Sequence, residues 1–154
     1  MNLENGKTDL KAALGPSKFS AQGYLGNDER APEEIIQEDL IILARLGIGK
    51  NNLVAALRKT YITAERALGN PVEISPGVIA VHHEARGRIP SPFPEDGTLP
   101  KGETVVTDKK SGESIVITPL SMMLIERHDF FQGKGSAFRI DPEVAIRLLG
   151  INRI

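Results

Sequence analysis

PEEIIQEDLIILARLGIGKNNLVAALRKTYITAERALGNPVEISPGVIAVHH, residues 32–83, contains the change of texture that decides the fold. Its first part repeats apolar residues at helical spacing. Ile36, Leu40 and Leu43 make one stripe and Ile35, Ile42 and Leu46 another, so the second half of this helix is expected to be deeply buried. Pro32 suits the first helical position, where its missing N–H would have no partner anyway. Glu33, Glu34, Glu38 and Asp39 put negative charge near the positive end of the helix dipole. Gly47 stops the helix as a left-handed cap. A second helix is expected after Ile48-Gly49-Lys50, with Asn51 or Asn52 as N-cap and a core stripe of Leu53, Leu57, Tyr61, Ala64 and Leu68. Gly69-Asn70-Pro71 ends it. The period then drops from 3.6 to 2, and Val72–Ile74 and Val78–His83 read as strands around a Pro76-Gly77 turn.

Towards the C-terminus, Arg86–Gly102 holds four prolines and three glycines and reads as a long loop, the kind that is usually functional or disordered. Thr104–Thr107 and Ser114–Thr118 bracket a hairpin turn at Asp108–Glu113. Thr118-Pro119 opens a helix expected to run to about Phe131. A short strand is expected at Ala137–Ile140, and Asp141-Pro142 starts a last helix that ends at Gly150. No parallel strand–helix–strand series appears. The fold class is therefore α+β: an N-terminal helical hairpin followed by a small mixed or antiparallel sheet with two further helices. Residues 31–154 form a single domain, with the helical hairpin over 32–69 and the β-rich half over 72–154. Residues 1–30 carry Gly6, Gly15, Pro16, Gly23 and Gly26 and are expected to be a flexible leader or an oligomerisation arm. In the second case Leu14, Phe19, Tyr24 and Leu25 would pack on a neighbouring subunit.

The chain of 154 residues has 40% apolar and 25% charged residues, ordinary values for one globular domain. With no tryptophan, its core must rest on leucine, isoleucine, valine and alanine. A net charge of −1 removes the simplest electrostatic case for nucleic-acid binding. The absence of cysteine excludes disulfides, thiolate metal sites and thiol nucleophiles. The longest apolar run, Leu40–Ala44, is far short of a bilayer span, and residues 1–7 lack the pattern of a signal peptide. A cytoplasmic location without membrane insertion is the expectation.

From Asp39 to Arg58 the chain resembles a helix-turn-helix, with Gly47 as the turn glycine and Ile42, Leu43, Leu46, Ile48, Leu53 and Leu57 packing the two helices together. The resemblance covers about 20 residues and implies a DNA-reading face of Lys50, Asn51, Asn52 and Lys59, with Arg66 further along. Leu43 is bulky where such motifs place a small residue. Residues 1–30 offer no convincing third helix, only one possible turn at Leu10–Leu14, and four acids open the first. An ordinary helical hairpin has the same apolar spacing.

The other chemistry-bearing stretch is His82-His83-Glu84-Ala85-Arg86-Gly87-Arg88. Strand alternation puts Ile79, Val81 and His83 on one face, and Val78, Ala80, His82 and Glu84 on the other. His82, His83 and Glu84 are the candidate catalytic groups, since imidazole suits proton transfer near neutral pH. Arg86 and Arg88 are the candidate substrate-binding groups, since guanidinium forks suit carboxylates and phosphates. A helix after Thr118 adds His128, so His82, Glu84 and His128 could form a two-histidine, one-carboxylate metal set if they meet. His128 falls on an apolar stripe with Leu120, Leu124 and Phe131, where a satisfied core histidine is the commoner reading. Gly133-Lys134-Gly135-Ser136 lacks the spacing of a phosphate loop and reads as a connector.

Three functions follow. The first is a ligand-binding protein or small enzyme with a His/Arg site for an organic anion, the 86–102 loop acting as lid. The second is a DNA-binding regulator reading through the hairpin. The third is an accessory subunit that assembles with itself or a protein partner through residues 1–30 and 86–102. The cofactor is left open.

Overall fold

The computed structural model describes Leu14 and residues 23–151. Helix α1 spans Pro32–Leu46 and α2 spans Lys50–Arg66. Gly47 caps α1 in the left-handed region (φ 70°), its N–H donating to the Ala44 carbonyl while Ile48 N donates to that of Leu43. The strands are β1 (Val72–Ser75), β2 (Val78–His83), β3 (Arg88–Pro90), β4 (Thr98–Pro100), β5 (Glu103–Asp108) and β6 (Ser114–Ile117). Helices α3 (Pro119–His128) and α4 (Pro142–Leu149) complete the chain. The class is α+β. Strands β1-β2-β5-β6 make an antiparallel sheet in that order, and β3-β4 make a separate hairpin inserted between β2 and β5.

Register follows from the alternation. Ala80 pairs with Val106 and His82 with Thr104 across β2 and β5, while Val106 pairs with Ile115 and Thr104 with Ile117 across β5 and β6. All six face the helices and are buried; Ile79, Val81, Val105 and Val116 on the reverse face are only half-buried. An antiparallel sheet tolerates this, since one face covered is enough. The main core joins Leu43, Leu53, Leu57 and Tyr61 of the helical hairpin to Val106, Ile117, Ile125 and Leu148. A second cluster gathers Leu14, Tyr24, Leu25, Ile35, Leu120, Leu124 and Phe130, flanked by Ile89, Phe93 and Leu99 of the β3-β4 segment. Thus Leu14, Tyr24 and Leu25, candidates for a subunit arm, are buried in the chain's own core; Phe19 lies outside the described residues.

Several local expectations change. The second half of α1 is not buried all round, because α4 and the second cluster cover only part of it, and Ile41 stays 56% exposed. Helix α2 begins at Lys50 with Gly49, not an asparagine, as N-cap: the extended Gly49 carbonyl accepts from Asn52 and Leu53, so the chain turns two residues earlier. Its stripe stops at Ala64, since Leu68 lies beyond the helix at φ 54° and is 88% exposed. Helix α3 ends at His128 rather than Phe131, because Asp129 turns left-handed (φ 55°) and sends its N–H back to the Ile125 carbonyl, while Phe130 N donates to that of Leu124. The 86–102 segment is not an open loop but the β3-β4 hairpin plus a 3-10 turn at Pro94–Asp96.

No strand forms at 137–140. Arg139 instead leaves that segment for α1, donating from both terminal nitrogens to Asp39 at 2.9 and 2.8 Å and to the Gln132 carbonyl at 2.6 Å. Asp39 is 1% exposed, so this two-pronged pair is internal to the fold. Nearby, residues 23–28 and 132–136 meet backbone to backbone: Gly133 N donates to Tyr24 O (2.8 Å), Asn27 N to Lys134 O (3.2 Å) and Lys134 N to the Asp28 carboxylate (3.0 Å). Glycine is required there, since a Cβ on Gly26 would sit 2.7 Å from Lys134 O. The Gly133–Ser136 stretch is a connector whose glycines allow this clasp.

Candidate functional site

Three side-chain constellations come out of this fold. The first is a cleft of about 280 Å³ at the end of the sheet, near the small end of the range for small-molecule sites, roughly 300–1,000 Å³. Ile89 and Pro100 of the inserted hairpin, Leu120 of α3 and Phe138 make most of its wall, with Lys101, Glu103 and Thr118 at its edge. The clasp supplies the remaining side, Tyr24 and Gln132. The clasp and the α3 N-terminus fix this geometry. Thr118 caps α3 by accepting from Ser121 N (3.0 Å), while Ser121 Oγ accepts from Thr118 N (2.9 Å). Gln132 sits at φ 72° and is 2% exposed, its Oε1 accepting from Ser136 Oγ at 2.7 Å.

Two polar groups of this wall have no partner among the described residues: the Gln132 Nε2 amide and the Tyr24 hydroxyl. Among the described residues no fully enclosed side-chain nitrogen or oxygen lacks a hydrogen bond, so both ends reach solvent, and both residues line the cleft. Burial pushes the Tyr24 hydroxyl above its usual pKa, so it is neutral and able to donate. Phe138, 38% exposed, leaves an apolar ring at the lip.

The second constellation is built around His82. Its imidazole is 1% exposed, with Nδ1 against Thr104 Oγ1 (2.9 Å), Nε2 against Glu84 Oε1 (2.9 Å) and Tyr61 edge-on at 5.0 Å between ring centres. Burial, then the charges of Glu65 and Glu84, push the Tyr61 hydroxyl up to about 12. Ligand atoms of Glu65, His82 and Glu84 all lie within 4.8 Å of one another. Glu65 was not legible as a neighbour: it lies on α2, and only the packing of α2 across β2 delivers it.

The third constellation is a latch. The Asp96 carboxylate, 1% exposed, accepts from His128 Nε2 (2.8 Å), Arg127 (3.0 Å) and Ser91 Oγ (3.0 Å). Phe93 stacks on His128 with 3.7 Å between ring centres. Burial alone would raise the Asp96 pKa, but these hydrogen bonds outweigh it and leave it lowered. The latch ties the 3-10 turn to the end of α3, and His128 is a satisfied histidine.

The sequence candidates are therefore separated. His82 and Glu84 meet, but His128 belongs to the Asp96 latch, so the His82–Glu84–His128 metal set does not assemble. His83 points from the opposite strand face and is exposed. Arg86 is exposed, and Arg88 is spent on its own hairpin, donating to Thr98 Oγ1 and the Thr98 carbonyl at 2.8 Å each. None of these residues lines the cleft. The cleft residues Tyr24 and Gln132 were missed because they lie over a hundred positions apart, joined only by the clasp.

On α2, Asn51, Asn52 and Lys59 are exposed, whereas Lys50 is held by α3, donating to Asp129 Oδ1 (2.8 Å) and Glu126 O (3.0 Å). Helices α1 and α2 meet at 91° across a three-residue turn, and no single helix among the described residues is long and apolar enough to cross a membrane. Fold and site together define a small antiparallel α+β domain with an apolar cleft. The chain matches no protein-family model, no curated protein and no solved structure.

Proposed function

We propose that this chain binds a small, mainly apolar organic acid in the cleft beside Tyr24, Lys101, Gln132 and Phe138. The observation that carries the reading is the pair of unpartnered polar groups, the Gln132 amide and the Tyr24 hydroxyl, on a mainly apolar wall edged by Lys101, Glu103 and Thr118. Such groups favour a ligand oxygen that accepts from them, since water in a narrow apolar cleft satisfies them poorly. Lys101 at the rim supplies the positive charge for a carboxylate, and Ile89, Leu120 and Phe138 take the hydrocarbon. The organic-anion reading of the sequence is kept, with its site moved from the His/Arg stretch to the cleft.

The test is a thermal-shift and calorimetric screen of aliphatic and aromatic carboxylic acids against the corresponding amines and alcohols. Acids should bind best, and Lys101→Met and Phe138→Ser, both at exposed positions, should weaken them by about tenfold, the loss of one charge-assisted or apolar contact. Equal response to amines and acids, or binding untouched by both substitutions, defeats the reading.

A second reading has its own support. The 91° crossing falls in the range of DNA-reading helix pairs, roughly 90–120°. A third helix is available in α4, whose Ala145 and Leu148 pack in one core with Leu43, Leu53 and Leu57. Asn51, Asn52 and Lys59 remain available on the outer face. Retardation of duplex DNA that weakens steeply with salt, and with Lys59→Ala, supports it; no retardation at low salt removes it.

A further inference from the structure

We propose that Glu65, His82 and Glu84 form a divalent-metal site, of the class that takes Zn²⁺, on the helix-covered face of the sheet end. It is independent of the cleft. Thr104 and Glu103 are neighbours on β5 and alternate in direction, so the imidazole faces α2 while Glu103 turns to the cleft.

Four observations carry it. First, one ligand atom from each of the three residues lies within 4.8 Å of the other two, a spacing a single ion spans with bonds of about 2.0–2.2 Å to imidazole nitrogen and carboxylate oxygen. Second, the imidazole is oriented before any ion arrives. Nδ1 is taken by Thr104 Oγ1, a residue with no solvent exposure, which leaves Nε2 aimed at the carboxylates. Metal-binding histidines are held in this way by the other ring nitrogen. Third, neither Glu65 nor Glu84 is paired with a lysine or arginine among the described residues, although each converges on the other. Two carboxylates and a neutral imidazole carry the charge that a divalent cation cancels. Fourth, the space beside Nε2 is kept open by Gly102, where a Cβ would stand 3.3 Å from His82 Nε2 and 2.8 Å from the Tyr61 hydroxyl.

Both carboxylates are exposed, so the remaining coordination positions face solvent and are filled by water. Three protein ligands and open water positions are the arrangement of a reactive rather than a closed structural zinc. The other acidic cluster, Glu95, Asp96 and His128, does not compete on equal terms, because Asp96 already accepts three hydrogen bonds within the latch.

The experiment is calorimetric titration of the full chain with Zn²⁺, alongside nitrogen NMR of the His82 imidazole. One saturable site per chain is expected, with a marked shift of His82 Nε2 on binding. Glu65→Gln and Glu84→Gln, at exposed positions that leave the core intact, should each weaken the site by about tenfold or more, no less than loss of a group that only orients a ligand does. Glu95→Gln should leave it unchanged. The assignment is overturned if no saturable binding occurs, if His82 Nε2 does not respond, or if Glu95→Gln abolishes binding while Glu65→Gln and Glu84→Gln do not.

Discussion

Replacing Gly133 by alanine isolates the contact on which the clasp depends. Gly133 has no left-handed backbone to lose, so the substitution is permitted by its own conformation; the obstacle is space. The new Cβ would overlap Leu25 O, lie 2.8 Å from Leu25 C and 2.9 Å from Asp28 Cβ. Two of these atoms are backbone and cannot swing away, so the 23–28 and 132–136 segments must part by roughly 1 Å to reach ordinary contact. Parting them stretches the Gly133 N–Tyr24 O, Asn27 N–Lys134 O and Lys134 N–Asp28 bonds together. Overpacking costs about 1–3 kcal/mol, and each weakened hydrogen bond adds about 1 kcal/mol. A loss of about 4–6 kcal/mol, or roughly 15 °C in Tm for a chain of this size, is therefore expected. Gly112→Ala is the control: at φ 76° it meets nothing within 4 Å, so only the left-handed penalty of about 1 kcal/mol applies. Urea denaturation of both variants measures the difference. Equal losses at the two positions, or a Gly133→Ala protein within about 0.5 kcal/mol of the parent, refute the clasp as a tight contact.

The remaining predictions concern single interactions. Asp39→Ala strands the buried Arg139 guanidinium and should cost about 3–5 kcal/mol, with part recovered in the Asp39→Ala/Arg139→Leu double variant; a double-mutant cycle showing no coupling would count against the pair. The chain's two tyrosines, Tyr24 and Tyr61, both titrate above 10, and no tryptophan obscures their absorbance. Their folded pKa values exceed the unfolded value, so the stability they contribute is complete below pH 10 and lost as pH rises towards about 12. A phenolate midpoint at pH 10 for both tyrosines in the folded protein would contradict their burial. Thr118→Ala removes the α3 capping box and should lower stability by about 1 kcal/mol, read by chemical denaturation; an unchanged midpoint would mean the cap is dispensable.

Local periodicity carried most of the fold. The helical stripes of residues 32–64, the alternation of Val78–His83 and the proline-led starts at Pro119 and Pro142 depend on neighbours three or four positions away, and each gave an element of the expected type. Strand alternation alone separated His82 and His83 onto opposite faces; the helices packed on one face decided that His82 is the buried one. Tertiary contacts decided the rest. Asp129 ends α3 early in a left-handed turn while Lys50 from α2 binds its carboxylate. Arg139 is drawn from an expected strand by Asp39, a hundred residues earlier. The cleft needs Tyr24 and Gln132 brought together by the backbone bonds of Gly133 to Tyr24 and of Asn27 to Lys134, and the His82 cluster needs Glu65 from a helix that crosses the sheet. Residues joined only by packing leave no periodic trace in a single chain. The sequence alone thus determined the four helices and the four strands of the main sheet, while the β3-β4 hairpin, the loss of a strand at 137–140 and the meeting of polar side chains at the cleft and at His82 were decided only by the way those elements stack.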